Sequence, residues 1–197
     1  MTRGPLHRFG ARLRLASGAA AAIPLCAAFL VACPPPSVAP SRPLPTYAGR
    51  SVELFDDAIE PRAVGLDPEV NAHVRSDPLL RERVQIGDAT LRVRIDTITV
   101  KQEDSDASSY QVGFRVIDKI AGAHPPDGEF TVRVSKQSPS AGILKSYQSQ
   151  LIGKRFLAFV RLFVRSDGDH DMHFHLAPDS KEVAAAVHDA IVLADFK

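Results

Sequence analysis

The chain has 197 residues, of which 24 are Lys or Arg and 23 are Asp or Glu, so its formal net charge is +1. This balance excludes the strongly basic character typical of nucleic-acid-binding domains, and we expect no nucleic-acid partner. A hydrophobic content of 45% at this length is sufficient for one ordinary domain with its own core.

The first 32 residues have the pattern of a secretory signal. An apolar run from Leu15 to Ala32 is slightly short for a membrane-spanning helix, which needs about 20 apolar residues, and Gly18 and Pro24 interrupt it. A signal that is removed is therefore favoured over one that is retained as an anchor. The leader before the run has no acidic residue and carries Arg3, Arg8, Arg12 and Arg14.

The signal ends in Leu30-Val31-Ala32-Cys33, which resembles the lipobox of bacterial lipoproteins. The resemblance implies cleavage before Cys33 and attachment of fatty acyl groups, such as palmitate, to its thiol and new amino terminus. An ordinary signal peptide with a free Cys33 is the alternative, although the extended Pro34-Pro35-Pro36 that follows is unsuited to burying a thiol. Enteric lipoproteins retained in the inner membrane have Asp at the position of Pro34, which favours the outer membrane here, with the protein facing the periplasm or the cell surface.

This interpretation divides the chain into a signal peptide (1–32), an acylated cysteine with a proline-rich tether (33–50), and one globular domain (51–197). Removing four of the 24 basic side chains with the signal leaves 20 against 23 acidic ones, a net charge of −3. Cys26 is lost with the signal and Cys33 is acylated. The domain therefore has no disulfide available and must be held by its core.

In chain order, the first predicted element is a short strand within Ser51–Ile59. Asp77-Pro78 predicts a helix start, because Asp caps helices and Pro is favoured in their first position, and this helix ends near Gly87. Apolar residues then alternate from Ala89 to Lys101, with a shift of one residue before Ile98. Such a shift inside a long strand predicts a β-bulge.

The rest of the domain contains four more predicted strands and two helices. Alternation predicts strands at 110–116, 130–134 and 172–176, and a continuous apolar run predicts a strand buried on both faces at 156–164. Helical spacing of apolar residues predicts a short helix that ends at Gly153. The sequence Asp179-Ser180-Lys181-Glu182 predicts the cap of a terminal helix whose apolar face contains Val183, Val187, Ala190, Ile191 and Ala194.

The order of three strands, a short helix and two strands predicts a β-rich α+β domain with a single OB-like five-stranded barrel and a C-terminal helix. Residues 89–176 resemble the netrin-like and metalloproteinase-inhibitor branch of OB barrels, through Tyr110–Val116 and Gly153-Lys154-Arg155-Phe156-Leu157. That resemblance implies the fold, and inhibition of secreted proteases as one function. The family's inhibitors use a free amino-terminal cysteine and disulfides, which this domain lacks.

The most specific chemical pattern is the cluster His170, His173 and His175. On a strand, His173 and His175 point to the same side, so the pair could hold zinc if His170 or a nearby Asp supplied a third ligand. The alternative is that both are outward, solvated side chains beside a hairpin. An acidic turn at Asp167–Asp171 begins like a calcium loop but lacks the Gly and Glu that this loop requires. No nucleophile motif or phosphate-binding loop is present, so we expect no enzyme activity.

A second candidate surface is a basic strip on neighbouring strands, which could bind a ligand or pair with nearby acids, formed by Arg92, Arg94, Arg115 and Arg133. The function predicted from the sequence is a lipid-anchored cell-envelope lipoprotein that acts as a non-enzymatic binding or assembly module with an envelope protein partner. The alternative is a metal-binding protein or metal-dependent hydrolase that uses the histidine residues, with zinc as its cofactor.

Overall fold

The computed structural model describes residues 43–66, 74–102 and 109–195, which form a β-rich α+β fold around one curled, mixed sheet of six strands. The strands are β1 (Ala58–Ile59), β2 (Ala89–Lys101), β3 (Ser109–Ala121), β4 (Glu129–Ser135), β5 (Arg155–Val164) and β6 (His170–Pro178). The α-helices are α1 (Arg50–Leu54), α2 (Pro78–Ile86), α3 (Ala141–Leu151) and α4 (Lys181–Asp195), and 3₁₀ turns lie at Pro61–Val64 and Val74–Ser76.

The predicted β-rich α+β class is confirmed, and the predicted order of three strands, helix and two strands is present in β2 to β6, but the sheet has six strands and is not the predicted five-stranded barrel. The spatial order is β1-β6-β5-β2-β3-β4, with β1 parallel to β6 and the other neighbours antiparallel. Closing the barrel would require β4 to pair with β6. The free edge of β6 instead pairs with β1, which leaves β4 as an edge strand and the sheet as a half-barrel.

The opening of the half-barrel is bridged by side chains. The hydroxyls of Ser138 and Ser140, which lie between β4 and α3, both donate to the main-chain oxygen of Asp57, just before β1. Helix α3 places Leu144 and Leu151, both fully buried, in the core that lines this face of the sheet. A helix therefore fills space that a fully closed set of strands would enclose.

The prediction of a strand over Ser51–Ile59 is wrong for its first half, which is α1. Phe55 N–H donates to the Ser51 oxygen at 2.9 Å, and Arg50 forms an ion pair with Glu53 one turn along the helix. Leu54 and Phe55 are both fully buried although they are adjacent. In a strand these two side chains would point to opposite faces, so a helix end and a turn suit them better.

The predicted caps and the predicted bulge are confirmed. The Asp77 carboxylate accepts from Leu79 N–H at 2.9 Å with Pro78 at the first helical position, and the Ser180 hydroxyl accepts from Val183 N–H at 3.2 Å. The pairing of β2 with β3 shifts register between Ile95 and Thr97. Gly113 lies opposite this shift, where an added Cβ would collide with the Thr97 hydroxyl.

Two cores lie on the two faces of the sheet, as the prediction that β5 is buried on both faces requires. One face, here called the inner face, carries apolar side chains of every strand from β2 to β6 and is covered by α3. The opposite, outer face is covered over β5 and β6 by α1, α2 and α4, which contribute Leu54, Leu80, Val183, Val187 and Ala190. The outer face of β2, β3 and β4 carries polar side chains instead.

The segment before α1, which the sequence places in the tether, packs against the domain. Asp88 lies just before β2 and extends the contact between β2 and β5 by one step, because its carboxylate accepts a hydrogen bond from Leu162 N–H at 2.8 Å. One step further, the Pro45 oxygen accepts from Val164 N–H at 3.0 Å, and Thr46 forms a parallel bridge with Val164. The amino-terminal segment thereby provides the hydrogen-bond partner for the last residue of β5.

Candidate functional site

Two histidine–aspartate pairs lie on the outer face where β1 joins β6. His173 Nδ1 is 2.8 Å from an Asp57 carboxylate oxygen, and His175 Nδ1 is 2.9 Å from an Asp56 carboxylate oxygen. The two histidines share a face because they are two residues apart on β6, as predicted. The aspartates reach them because β1, which follows directly, pairs with His175 and Leu176.

Asp57 is held through both its backbone and its carboxylate. Its N–H donates to the Phe174 oxygen at 2.9 Å, and its carboxylate accepts from Phe174 N–H at 3.1 Å. Its φ of 53° lies in the left-handed region, which Asp tolerates better than most residues. Burial raises the pKa of Asp57, and the hydrogen bond with His173 opposes this increase only in part.

His175 lies between two carboxylates, because its Nε2 is 3.4 Å from Glu60 in addition to the contact of Nδ1 with Asp56. Burial lowers the pKa of His175, but the hydrogen bonds with Asp56 and Glu60 outweigh it, and the net direction is upward. Burial likewise raises the pKa of Glu60, but contacts with His175 and Arg62 outweigh it and lower the pKa. The imidazole is therefore stabilised in its charged, doubly donating form.

Tyr47 covers His173. Its ring stacks on His173 with centroids 3.5 Å apart and an angle of 5° between the planes, and its hydroxyl donates to the Phe55 oxygen at 2.7 Å. Burial, together with the charges of Asp57 and Asp56, raises the pKa of the Tyr47 hydroxyl. The amino-terminal segment thus forms one wall of the cluster.

A buried arginine on α2 lies near these side chains, and its charge acts to lower the pKa of His175. Arg83 is only 5% exposed, and its Nε donates to the Leu54 oxygen at 2.8 Å. Burial lowers the pKa of Arg83, while the charges of Asp56 and other nearby carboxylates act in the opposite direction. We call the group formed by His173, His175, Asp56, Asp57 and Glu60 the histidine cluster.

The groups of the histidine cluster mainly bind one another. An aspartate beside Nδ1 fixes the orientation of a histidine ring, and Asp57 holds His173 in this way. The serine hydroxyls that reach the cluster, those of Ser138 and Ser140, donate to the Asp57 main-chain oxygen. They therefore hold the backbone of Asp57 in place.

The three histidines of the predicted zinc site are not equivalent. His175 is 6% exposed, so the alternative of solvated histidines is wrong for this residue. His170 is exposed and lies on the strand phase of Met172, opposite that of His173 and His175. Within residues 43–66, 74–102 and 109–195, no group of three or more His, Cys, Asp or Glu side chains has a geometry suited to a metal ion.

The predicted basic strip exists as a set of neighbouring side chains, but the contacts around it are acidic. Arg94 and Arg115 face each other across β2 and β3, and both bind Asp96 at 2.7 Å. Arg115 also binds Glu129 at 2.8 Å. Arg92 binds Asp118 at 3.0 Å and Asp179 at 3.1 Å, while Arg133 is exposed opposite Gln111. We call Arg92, Arg94, Arg115 and Arg133 the arginine ladder.

Cys33, the predicted lipidation site, lies outside the described residues. In the part of the chain that is described, no helix is both long and apolar enough to cross a membrane. No protein-family model, no curated protein and no solved structure matches this chain.

Sequence reasoning missed the acidic half of the histidine cluster and its aromatic cover. His173 and Asp57 are separated by 116 positions in the sequence, and His175 and Asp56 by 119. A usable signal was present, because Asp56 and Asp57 are adjacent carboxylates directly before the apolar pair Ala58-Ile59 of β1. The sequence does not reveal that Ala58-Ile59 pairs with β6, so it could not place these two carboxylates beside the histidines.

Proposed function

We propose that this protein is a lipid-anchored lipoprotein of the bacterial cell envelope, held at the outer membrane by acylated Cys33, and that its domain is a non-enzymatic binding or assembly module. The observation that carries the proposal is Leu30-Val31-Ala32-Cys33 at the end of an apolar run with a basic leader. The proposed partner is another envelope protein, which faces the domain from the periplasm or the cell surface.

The position of the amino-terminal segment is consistent with this proposal. Pro45 and Thr46 join the end of β5, so the chain enters the fold beside the β5–β6 hairpin. Residues 34–44 are rich in proline, a composition typical of an extended spacer between an anchor and a domain.

The internal bonding of the histidine cluster supports a role in stability over one in catalysis. Three of its carboxylates contact the two imidazoles, and Tyr47 stacks on His173. The arginine ladder is more accessible, with Arg115 51% exposed at its side chain, and no helix covers this part of the outer face among the described residues. We therefore place the partner surface on the ladder side of the sheet.

Intact mass of the protein extracted with detergent from membranes of the source bacterium tests the anchor. The expected mass is that of Cys33–Lys197 plus a diacylglyceryl group and one further acyl chain. A Cys33→Ser variant should lose the lipid mass, and a Cys26→Ser variant should keep it. A mature chain with an unmodified Cys33 would contradict the proposal.

A photo-crosslinking residue at Arg94 tests the partner surface in living cells, with the same residue at Lys145 on α3 as the matched control. The expected result is a specific crosslinked protein from position 94 and none from position 145. Equal labelling at both positions would contradict the placement of the surface.

The alternative function is metal binding, or metal-dependent hydrolysis, at the histidines. Its basis is that His173 and His175 lie beside three carboxylates, and imidazole and carboxylate are both zinc ligands, although as positioned these described side chains do not form a metal-binding geometry. Zinc that is retained after mild purification, and lost in the His173→Ala/His175→Ala double variant, would support it. A metal-free protein whose stability is unchanged by added zinc would exclude it.

A further inference from the structure

The amino-terminal segment places an aromatic ring in a slot on the outer face of the β5–β6 hairpin. The Tyr47 ring lies flat on His173, with centroids 3.5 Å apart, and packs edge to face on Phe163, with centroids 5.1 Å apart. Its hydroxyl donates to the Phe55 oxygen at 2.7 Å. The slot therefore offers an aromatic ring two apolar walls and one hydrogen-bond acceptor.

The main chain of the same segment adds to the sheet beside this slot. The Pro45 oxygen accepts from Val164 N–H at 3.0 Å, and Thr46 forms a parallel bridge with Val164. The Thr46 side chain is exposed, and Pro45 has no N–H to donate. The site thus takes one carbonyl acceptor and, two residues later, one aromatic ring. Addition of an extended segment to a sheet, with a pocket for one side chain, is a general mode of peptide recognition.

The segment is joined to α1 at a point where the backbone can turn. Gly49 has a φ of 58° and a ψ of −128°, a conformation that favours glycine, and no atom lies within 4 Å of the place of an added Cβ. At the other end of α1, Leu54 and Phe55 are fully buried and hold the helix on the core. Rotation at Gly49 would therefore release residues 45–47 while α1 stays in place.

Much of the surface beneath the ring is polar. His173 and Asp57, which are hydrogen-bonded to each other, are both mostly buried. Because both side chains are polar, water that reached them after release of the segment would solvate them. Release would break the stack of Tyr47 and the hydrogen bonds of the segment, but Phe163 is the main apolar side chain that it would uncover. A competing peptide would not have to displace an apolar core.

We propose that this slot is a peptide-binding site for an extended segment of a partner protein with a tyrosine two residues after the carbonyl that pairs with Val164, and that residues 45–47 occupy it as an internal competitor. Because the competitor is tethered, its effective concentration is on the order of mM, and it sets the threshold for the partner. The slot is a second site, separate from the arginine ladder. It does not depend on acylation of Cys33, so it can fail without affecting the proposed anchor.

The surroundings of the slot select a neutral tyrosine. Burial, together with the charges of Asp57 and Asp56, raises the pKa of the Tyr47 hydroxyl, so a negative charge is disfavoured at this position. A phosphotyrosine carries a charge of about −2 at pH 7 and should be excluded. A phenylalanine fits the walls but has no hydroxyl to donate to the Phe55 oxygen, so it should bind more weakly.

Photo-crosslinking of the full chain, purified in detergent, tests the proposal. The probe is a synthetic peptide with the sequence of residues 43–49, PLPTYAG, in which p-benzoylphenylalanine replaces the threonine, because Thr46 is exposed. Tyr47→Ala empties the slot, and this variant should be labelled on β5 or β6 at least about tenfold more than the parent chain, whose own segment competes. Peptides with alanine or phosphotyrosine in place of the tyrosine should label neither protein above background.

A second variant keeps every wall of the slot. Gly49→Ala places a side chain at a positive φ, so it should favour the released segment and also increase the labelling. Its result decides the question if Tyr47→Ala does not fold, which circular dichroism would show. Equal labelling of the parent and the folded variants, no labelling of these variants, or crosslinks outside β5 and β6 would each overturn the proposal. Equal labelling by the tyrosine and alanine peptides would overturn the role of the ring.

Discussion

The histidine cluster and the arginine ladder use the same chemistry in different surroundings. In both, the shortest contacts between basic side chains and carboxylates are 2.7–3.1 Å. The side chains of His173 and His175 are 15% and 8% exposed, whereas those of Arg94 and Arg115 are 42% and 51% exposed. Water competes for the second group and hardly for the first, so equal distances do not mean equal contributions to stability.

The difference arises from what covers each half of the outer face. Over β5 and β6, three helices and the segment that contains Tyr47 exclude water from the histidines. Over β2 to β4 the arginines and their acidic partners form the surface. The contribution of a polar residue on this sheet to stability therefore depends more on whether a helix or segment covers it than on which residue it contacts.

Asp57→Ala is expected to have the largest effect of the substitutions considered. It removes the partner of His173 and the acceptor of Phe174 N–H from a mostly buried site, and loss of one member of such a pair costs about 3 kcal/mol. Asp57→Asn should cost less, because its amide oxygen can accept from Phe174 and Asn tolerates a positive φ. Urea unfolding measures both; equal losses would show that the negative charge dominates.

His175→Gln should cost about 2 kcal/mol at pH 5.5, the value typical of hydrogen bonds to charged groups, and less at higher pH. The pKa of His175 is raised in the folded state, so its contribution is fully present below the ordinary value of 6.5 and is lost as the pH rises through the folded-state pKa. Unfolding free energies of both proteins between pH 5 and 9 measure this. A difference that grows with pH would contradict the assignment.

The contribution of Glu60 to stability is expected to have the opposite dependence on pH. Its pKa is lowered in the folded state, so its contribution is present above the ordinary value of 4.5 and is lost as the pH falls through the folded-state pKa. Glu60→Gln should therefore flatten the acid limb of the stability profile. An acid limb as steep in the variant as in the parent protein would contradict the assignment.

Tyr47→Phe should cost about 1 kcal/mol, because it removes the hydrogen bond to the Phe55 oxygen but keeps the stack on His173. This variant tests how much the amino-terminal segment stabilises the histidine cluster, without changing any charged group. Thermal unfolding at pH 7 measures it. An unchanged Tm would show that the hydroxyl contributes nothing to docking of the segment.

Asp96→Ala on the ladder should have the smallest effect, because its arginine partners remain solvated. Whatever change appears in the urea midpoint should vanish in about 1 M salt, where the screening length is about 3 Å. The effect of Asp57→Ala should persist at that salt concentration. If both variants lose the same stability, the distinction between the two regions is wrong.

Periodicity and capping were sufficient to predict most regular elements of the sheet and helices. The cap at Asp77, the bulge before Ile98 and the doubly buried strand β5 are all local patterns, and each is present. Closure of the barrel could not be predicted in this way. It depends on whether β6 pairs with β4 or with the two-residue β1, and so short a strand leaves almost no pattern in a sequence.

The candidate site was predicted only in its local parts. His173 and His175 share a face because their spacing requires it, and Arg94 meets Arg115 because both lie on polar phases of adjacent strands. The carboxylates of the histidine cluster come from a segment more than a hundred residues earlier. Their position depends on a left-handed turn at Asp57 that no simple residue pattern encodes.

The contact of Pro45 and Thr46 with Val164 also determines how the domain would respond to mechanical force. A pull on the chain from its amino-terminal side would first load the Val164 N–H bond and then the Tyr47 stack, one after the other. Contacts that carry a force one after the other break at a lower force than contacts that share it. If the chain is anchored at Cys33 as proposed, release of residues 45–49 would add about 17 Å of extended chain between the anchor and the sheet.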